Sequence, residues 1–120
     1  MRENHLIRLH LQGDLSFGPG KAELLETVRD LGSLQDAANA MGMSYSKAWK
    51  LVRDMNQGFR EPVLILHRGG KDKGGAELTK TGAAAVQLYR DAVAAAEKAA
   101  LPALNKMRAM LASDQANSSV

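Results

Sequence analysis

The sequence predicts a mainly α fold with a small β component, and three stretches carry that prediction. The first is 32–55, GSLQDAANAMGMSYSKAWKLVRDM, which reads as two short helices across a tight turn. The second is 62–78, where an apolar β-prone run, a glycine- and lysine-rich loop and a short second run make a hairpin pattern. The third is 83–111, alanine-rich and strongly helix-forming. Together they predict a winged helix-turn-helix, preceded by an N-terminal β-hairpin and followed by a long C-terminal helix.

The helix pair is justified residue by residue. Ser33 can cap the first helix, its hydroxyl taking an orphan N–H while Asp36, three residues on, reaches back. Leu34, Ala37, Ala38 and Met41 recur at helical spacing, with Gln35 and Asn39 between them. Gly42 supplies the left-handed residue that stops the helix, Met43 fills the turn, and Ser44 caps a second helix over about 45–55. Ala48, Leu51, Val52, Met55 and Phe59 form its inward stripe. The opposite face carries Tyr45, Ser46, Trp49, Lys50 and Arg53, with Lys47 at its edge. Hydroxyls, an indole and cations on the N-terminal half of such a helix suit the DNA major groove: cations for phosphates or guanine edges, hydroxyls for either. The competing expectation for Trp49 is a core position, because large aromatics are usually highly buried. For the lysines it is a solvated face.

Around this pair the other elements fall in order. Leu6, Ile7, Leu9 and Leu11 come close to strand alternation, and Gly13-Asp14 suits a two-residue turn, so strands are expected at about 5–11 and 15–17. Gly18-Pro19-Gly20 should end them, leaving a hairpin that serves as a lid on the core or as an interface. A supporting helix over 21–31 carries Leu24, Leu25, Val28 and Leu31 as its apolar stripe, with Glu23 and Glu26 in its early turns. After the second helix of the pair, Asn56, Gln57 and Gly58 release the chain and a strand follows at about 63–67. The loop from Arg68 to Gly75 and the short strand at 76–78 complete a wing, with Arg68, Lys71 and Lys73 as its phosphate contacts. The loop has no GxxxxGK[ST] pattern, so a nucleotide P-loop is excluded; an unstructured surface loop is the alternative. Thr79 caps the last helix, in which Val86, Tyr89, Val93, Ala96, Ala100, Leu104, Met107 and Leu111 make a packing seam. Pro102 should kink or split it near Leu101. Pairing with a second copy is expected for this helix, the alternative being packing on its own domain. The organisation read from these signals is a hairpin at 1–19, a DNA-binding unit at 20–82, a dimerisation helix at 83–112 and a polar tail at 113–120.

Composition narrows the function classes. The chain of 120 residues has a net charge of only +3, but 44–80 hold eight Lys/Arg against four acids, so the positive charge gathers on and after the second helix of the pair. There is no cysteine, hence no thiolate metal site, disulfide or cysteine nucleophile. His5, His10 and His67 are widely separated and show no ligand spacing, so neither an enzyme nor a bound metal or cofactor is expected. The start, MRENHLIRLHL, lacks a signal-peptide run, and no membrane span is visible, which leads to the expectation of a cytoplasmic protein with double-stranded DNA as its partner. Two other readings use the same elements: a winged-helix protein-interaction module, and an effector-binding regulator partnered with another subunit. The cationic face of 45–53 together with the wing favours DNA.

GSLQDAANAMGMSYSKAWKLVRDMNQ, the MSYSKAW run within it, and the wing stretch RGGKDKGGAELTKTG resemble the N-terminal DNA-binding domain of ModE-type molybdate-responsive transcription regulators over about 20–110. A more distant similarity is to the winged helix of LysR-type regulators. The resemblance implies a homodimeric repressor or activator whose C-terminal domain helix pairs subunits. It places DNA contacts at Ser44, Tyr45, Ser46, Lys47, Trp49, Lys50 and Arg53, and on the wing at Arg68, Lys71 and Lys73. Members of that family continue into a paired oligonucleotide-fold region that binds molybdate or tungstate. This sequence stops at Val120, so the expectation is a stand-alone reader without the oxyanion site.

Overall fold

A computed structural model describes residues 7–67 and 75–112. In chain order they form β1 (Leu9–Gln12), β2 (Leu15–Phe17), α1 (Pro19–Leu31), α2 (Leu34–Ala40), α3 (Tyr45–Gly58), β3 (Leu64–Leu66), β4 (Ala76–Leu78) and α4 (Lys80–Arg108). The expected mainly α architecture is present, with two antiparallel two-stranded hairpins, β1–β2 and β3–β4.

The N-terminal hairpin pairs His10 with Ser16 and Gln12 with Leu15, with a register shift between His10 and Gln12. It is shorter than expected at its first strand, which begins at Leu9. Gly18-Pro19-Gly20 does not simply end the hairpin, because Pro19 is the first residue of α1. At that position its missing N–H costs no helical bond and its fixed φ already fits the helix. Since α1 starts two residues early, no acid lies in its first turn, and the expected dipole role of Glu23 and Glu26 falls away. Glu26 instead receives two bonds from Arg90 of α4, at 2.6 and 3.2 Å. The buried face of α1 is Ala22, Leu24, Leu25 and Val28, while Leu31, expected in the stripe, is exposed beside the helix-ending Gly32.

The core lies between α1, α2, α3, the β3–β4 hairpin and the first half of α4. Ala37, Ala38 and Ala48 are fully buried where α2 meets α3, so small side chains set the close approach of the pair. Phe17 of β2 meets Phe59 edge-on at 6.5 Å and Tyr89 of α4 at 5.5 Å. The Tyr89 hydroxyl donates to the Ile7 carbonyl at 2.6 Å. The N-terminal hairpin is therefore strapped across the domain as a lid.

Thr79 caps α4 as expected. Its Oγ1 accepts the Gly82 N–H at 2.9 Å and donates to the Pro62 carbonyl at 2.7 Å. A Cβ at Gly82 would collide with the Val63 carbonyl, so this close crossing of helix and strand requires glycine. Val86, Tyr89 and Val93 are buried in the helix's own domain, whereas every described residue after Val93 is exposed. The expected seam thus divides: its first three members close the core, and Ala96, Ala100, Leu104 and Met107 face outward. Pro102 does not split the helix, which is continuous through it to Arg108. Proline removes its own N–H, and the Lys98 carbonyl left behind lies on an exposed stretch that solvent can reach. The alanines around it supply propensity.

Candidate nucleic-acid interface

The α2–α3 turn is fixed by backbone chemistry. Met43 N–H donates to the Ala38 carbonyl at 3.0 Å and Gly42 N–H to the Asn39 carbonyl at 3.2 Å. These are the paired bonds of a Schellman ending, with Gly42 at φ 70° as its left-handed residue. Ser33 Oγ accepts the Asp36 N–H at 3.1 Å at the start of α2, and Ser44 Oγ accepts the Lys47 N–H at 3.0 Å at the start of α3. Among the described residues Asp36 makes no return bond, so half of the expected capping box forms. Three local devices, together with the buried alanines between the helices, aim the first turn of α3.

The inward stripe forms as expected, with Ala48, Val52 and Met55 buried and Leu51 and Phe59 partly so. Ser44, Tyr45, Ser46, Lys47, Trp49, Lys50 and Arg53 are all exposed. Trp49 is 42% exposed, which rules out a core role. Its indole is covered in part by the Arg53 guanidinium, 5.5 Å from the ring centre. Arg53 also pairs with Asp54 at 3.2 Å.

The outward surface is less uniform than the helical spacing implies. Tyr45 shares a 310 Å³ cavity with Ser33, Gln35, Leu66 and His67, so it leans toward the base of the wing. Trp49 and Arg53 share a second one, of 250 Å³, with Gln57 and Leu66 on the same side. Lys47 faces the other flank, beside Arg8 and Lys21. Ser46 and Lys50 line none of these cavities and stand exposed on the helix between them.

The wing stem pairs Leu64 with Leu78, Ile65 with Glu77 and Leu66 with Ala76. His67 N–H extends the ladder to the Gly75 carbonyl at 2.8 Å, and Ala76 N–H bonds the Gly32 carbonyl at 3.0 Å. Arg68, Lys71 and Lys73, the expected wing contacts, lie outside the described residues.

Asn56, expected only to release the chain, sits within α3 and holds the wing. Its Oδ1 accepts the Val63 N–H at 2.7 Å and its Nδ2 donates to the Leu64 carbonyl at 3.0 Å. Helix α3 continues past it to Gly58, which carries the exposed Gln57 one turn beyond Arg53. Spacing alone could have added Gln57 to the outward face, since it follows Arg53 by four. Arg8 and Lys21 had no such signal, because they reach α3 through the hairpin's fold. Among the described residues no group of three or more His, Asp or Glu side chains could hold a metal ion, and no helix is long and apolar enough to cross a membrane.

A capped helix pair, a glycine turn, an exposed cationic second helix and a hairpin docked beside it define a winged helix-turn-helix, the architecture of DNA-binding regulators. Residues 20–83 match the family described as bacterial regulatory helix-turn-helix protein, lysR family, and the chain belongs to that family. It is also similar to the transcriptional regulator ModE of Yersinia pestis, 37% identical over 89 residues, which is 74% of this chain and 34% of the relative. The DNA-binding transcriptional dual regulator ModE of Escherichia coli K12 is 38% identical over 90 residues, again 74% of this chain and 34% of the relative. The molybdenum transport protein ModE of Azotobacter vinelandii is 33% identical over 87 residues, 71% of this chain and 32% of the relative. The chain spans about a third of the length of these curated relatives.

Proposed function

We propose that the protein regulates transcription by binding duplex DNA as a homodimer, on an operator with two-fold symmetry. The observation that carries this reading is the first half of α3. It presents two hydroxyls, an indole and two cations to solvent, with Arg53 following one turn on, while two caps and a Schellman turn hold it in place. In this reading residues 20–82 bind DNA. Ser44, Tyr45, Ser46, Lys47, Trp49, Lys50 and Arg53 enter or border the major groove, and Arg68, Lys71 and Lys73 contact phosphates from the wing. Residues 83–112 pair the subunits, supported by Leu101, Leu104 and Met107, which are exposed on the half of α4 that leaves the domain. Two heads so joined fit half-sites about 34 Å apart, one helical turn of DNA. Relatives similar in sequence over this region carry names that say DNA-binding and transcriptional regulator, which supports this reading.

The test is selection of bound fragments from a random DNA pool, with titration of the winner at several salt concentrations. An inverted repeat whose binding falls steeply with salt is expected. Weak, uniform binding without enrichment would overturn the assignment.

A further inference from the structure

We infer that a cavity lined by Arg8, Lys21 and Lys47 is a second phosphate-binding site, which grips the DNA backbone on the flank of α3 opposite the wing. This rests on the DNA-binding reading above and adds a contact surface that helix and wing do not provide.

The cavity has a volume of about 370 Å³, with Gly18, Pro19 and Gly20 along one side and Leu51 on another. Its three cations come from three separate places: the residue before β1, the first turn of α1 and the first turn of α3. No acid lines it. Lys21 Nζ spends one donor on the Ser16 carbonyl at 2.6 Å, which fixes the amine in place and leaves two donors for a ligand. The Arg8 side chain lies against Gly18, its Nε 3.4 Å from where a Cβ would stand. Asp54 and Asp14 line the adjoining cavity on the other side of Lys21. Asp54 is already engaged by Arg53 at 3.2 Å. Burial lowers the pKa of Lys21; the Asp54 charge opposes this and the Arg8 charge reinforces it. An anion in the cavity would favour the charged amine and so offset both effects.

Position identifies the anion. The cavity borders α3 at Lys47 and Leu51, whereas Trp49, Arg53 and Leu66 border the groove on the wing side. A major groove that holds a helix is walled by two phosphate backbones. With the wing against one, this flank meets the other. The ligand is therefore a phosphodiester of the operator and not a free metabolite.

The experiment uses the full chain and its selected operator, with single phosphates replaced in turn by neutral methylphosphonates. Wild-type protein should lose about tenfold in affinity at one phosphate per half-site on the wing-distal strand. Lys21→Gln and, separately, Arg8→Gln should bind normal operator about tenfold more weakly and no longer respond at that position. The salt slope should fall by about 0.9 for each phosphate lost. Lys21→Arg should restore the response, and unchanged thermal melting would show that the variants are folded. If both Gln variants respond to every methylphosphonate as wild type does, the site is not a phosphate site, although Lys50→Ala still weakens binding. If inorganic phosphate at millimolar concentration protects Lys21 from acylation but operator does not, the ligand is the free anion and the backbone assignment fails. Absence of any operator binding by wild type would overturn this site together with the reading on which it rests.

Discussion

Asn56 and Val63 meet through a 2.7 Å hydrogen bond in which the strand N–H donates to the helix side chain, and the same amide donates back to Leu64. One residue of α3 thereby sets where the wing leaves the domain. We predict that Asn56→Ala lowers stability by about 1–3 kcal/mol, the cost of leaving two strand groups without partners in a partly buried place. Asn56→Asp should be little better, because a carboxylate keeps the acceptor but faces the Leu64 carbonyl with no donor. Urea denaturation measures both, and a loss below about 0.5 kcal/mol for Asn56→Ala would show that water replaces the clamp.

The Tyr89 hydroxyl bonds Ile7, and burial raises its pKa above the ordinary value of about 10, against the pull of Arg90 and Arg8. A raised pKa in the folded state gives stability that is whole below pH 10 and is lost as pH climbs from there through the folded value. Wild-type protein should therefore weaken above pH 10 more steeply than Tyr89→Phe. Near neutrality the phenylalanine variant should be less stable by about 1 kcal/mol for the lost bond. Denaturant midpoints between pH 7 and 11 separate the two effects.

Leu104 and Met107 are 39% and 66% exposed and are not among the residues packed on the core. Replacing both by Lys should leave the melting of the DNA-reading unit intact while shifting sedimentation to the monomer. Operator affinity should drop by about a hundredfold through loss of the second head. A variant that sediments as wild type would place the subunit contact elsewhere.

Lys50 is exposed on α3, whereas Lys71 and Lys73 lie in the sequence between β3 and β4, outside the described residues. Lys50→Ala should change preference among operator bases by about 1–3 kcal/mol. Lys71→Ala with Lys73→Ala should weaken all sequences alike and lower the salt slope by about 0.9 per contact. Binding of a panel of operator variants at three salt concentrations distinguishes a base reader from a phosphate contact.

What the sequence made legible follows the range of the forces involved. Ser33, Ser44, Thr79 and Gly42 could be placed because caps and left-handed turns involve residues within a few positions of one another. The stripe of Ala48, Val52 and Met55 was legible for the same reason, as periodicity on one helix. Pro19 was misplaced because the same residue that ends a strand can open a helix, and only the start of the following apolar stripe tells them apart. Asn56 was missed because its partners lie seven and eight residues away, across a change of direction. The seam on α4 read as uniform, yet its burial stops at Val93 because the domain ends there and the helix does not. For Trp49 the helical spacing pointed outward while its size argued for burial, and its exposure follows the spacing.

That division of α4 also separates two kinds of change. Gly82, Val86, Tyr89 and Val93 are answerable to the core, and a substitution at any of them must fit the elements packed around it. Residues after Val93 answer to no neighbour in the same domain, so their identities can drift, lengthen or be exchanged while the DNA-reading head keeps its shape. In an engineering setting the helix is a natural junction: the stretch downstream of Val93 can be rewritten without disturbing the packing of the head upstream.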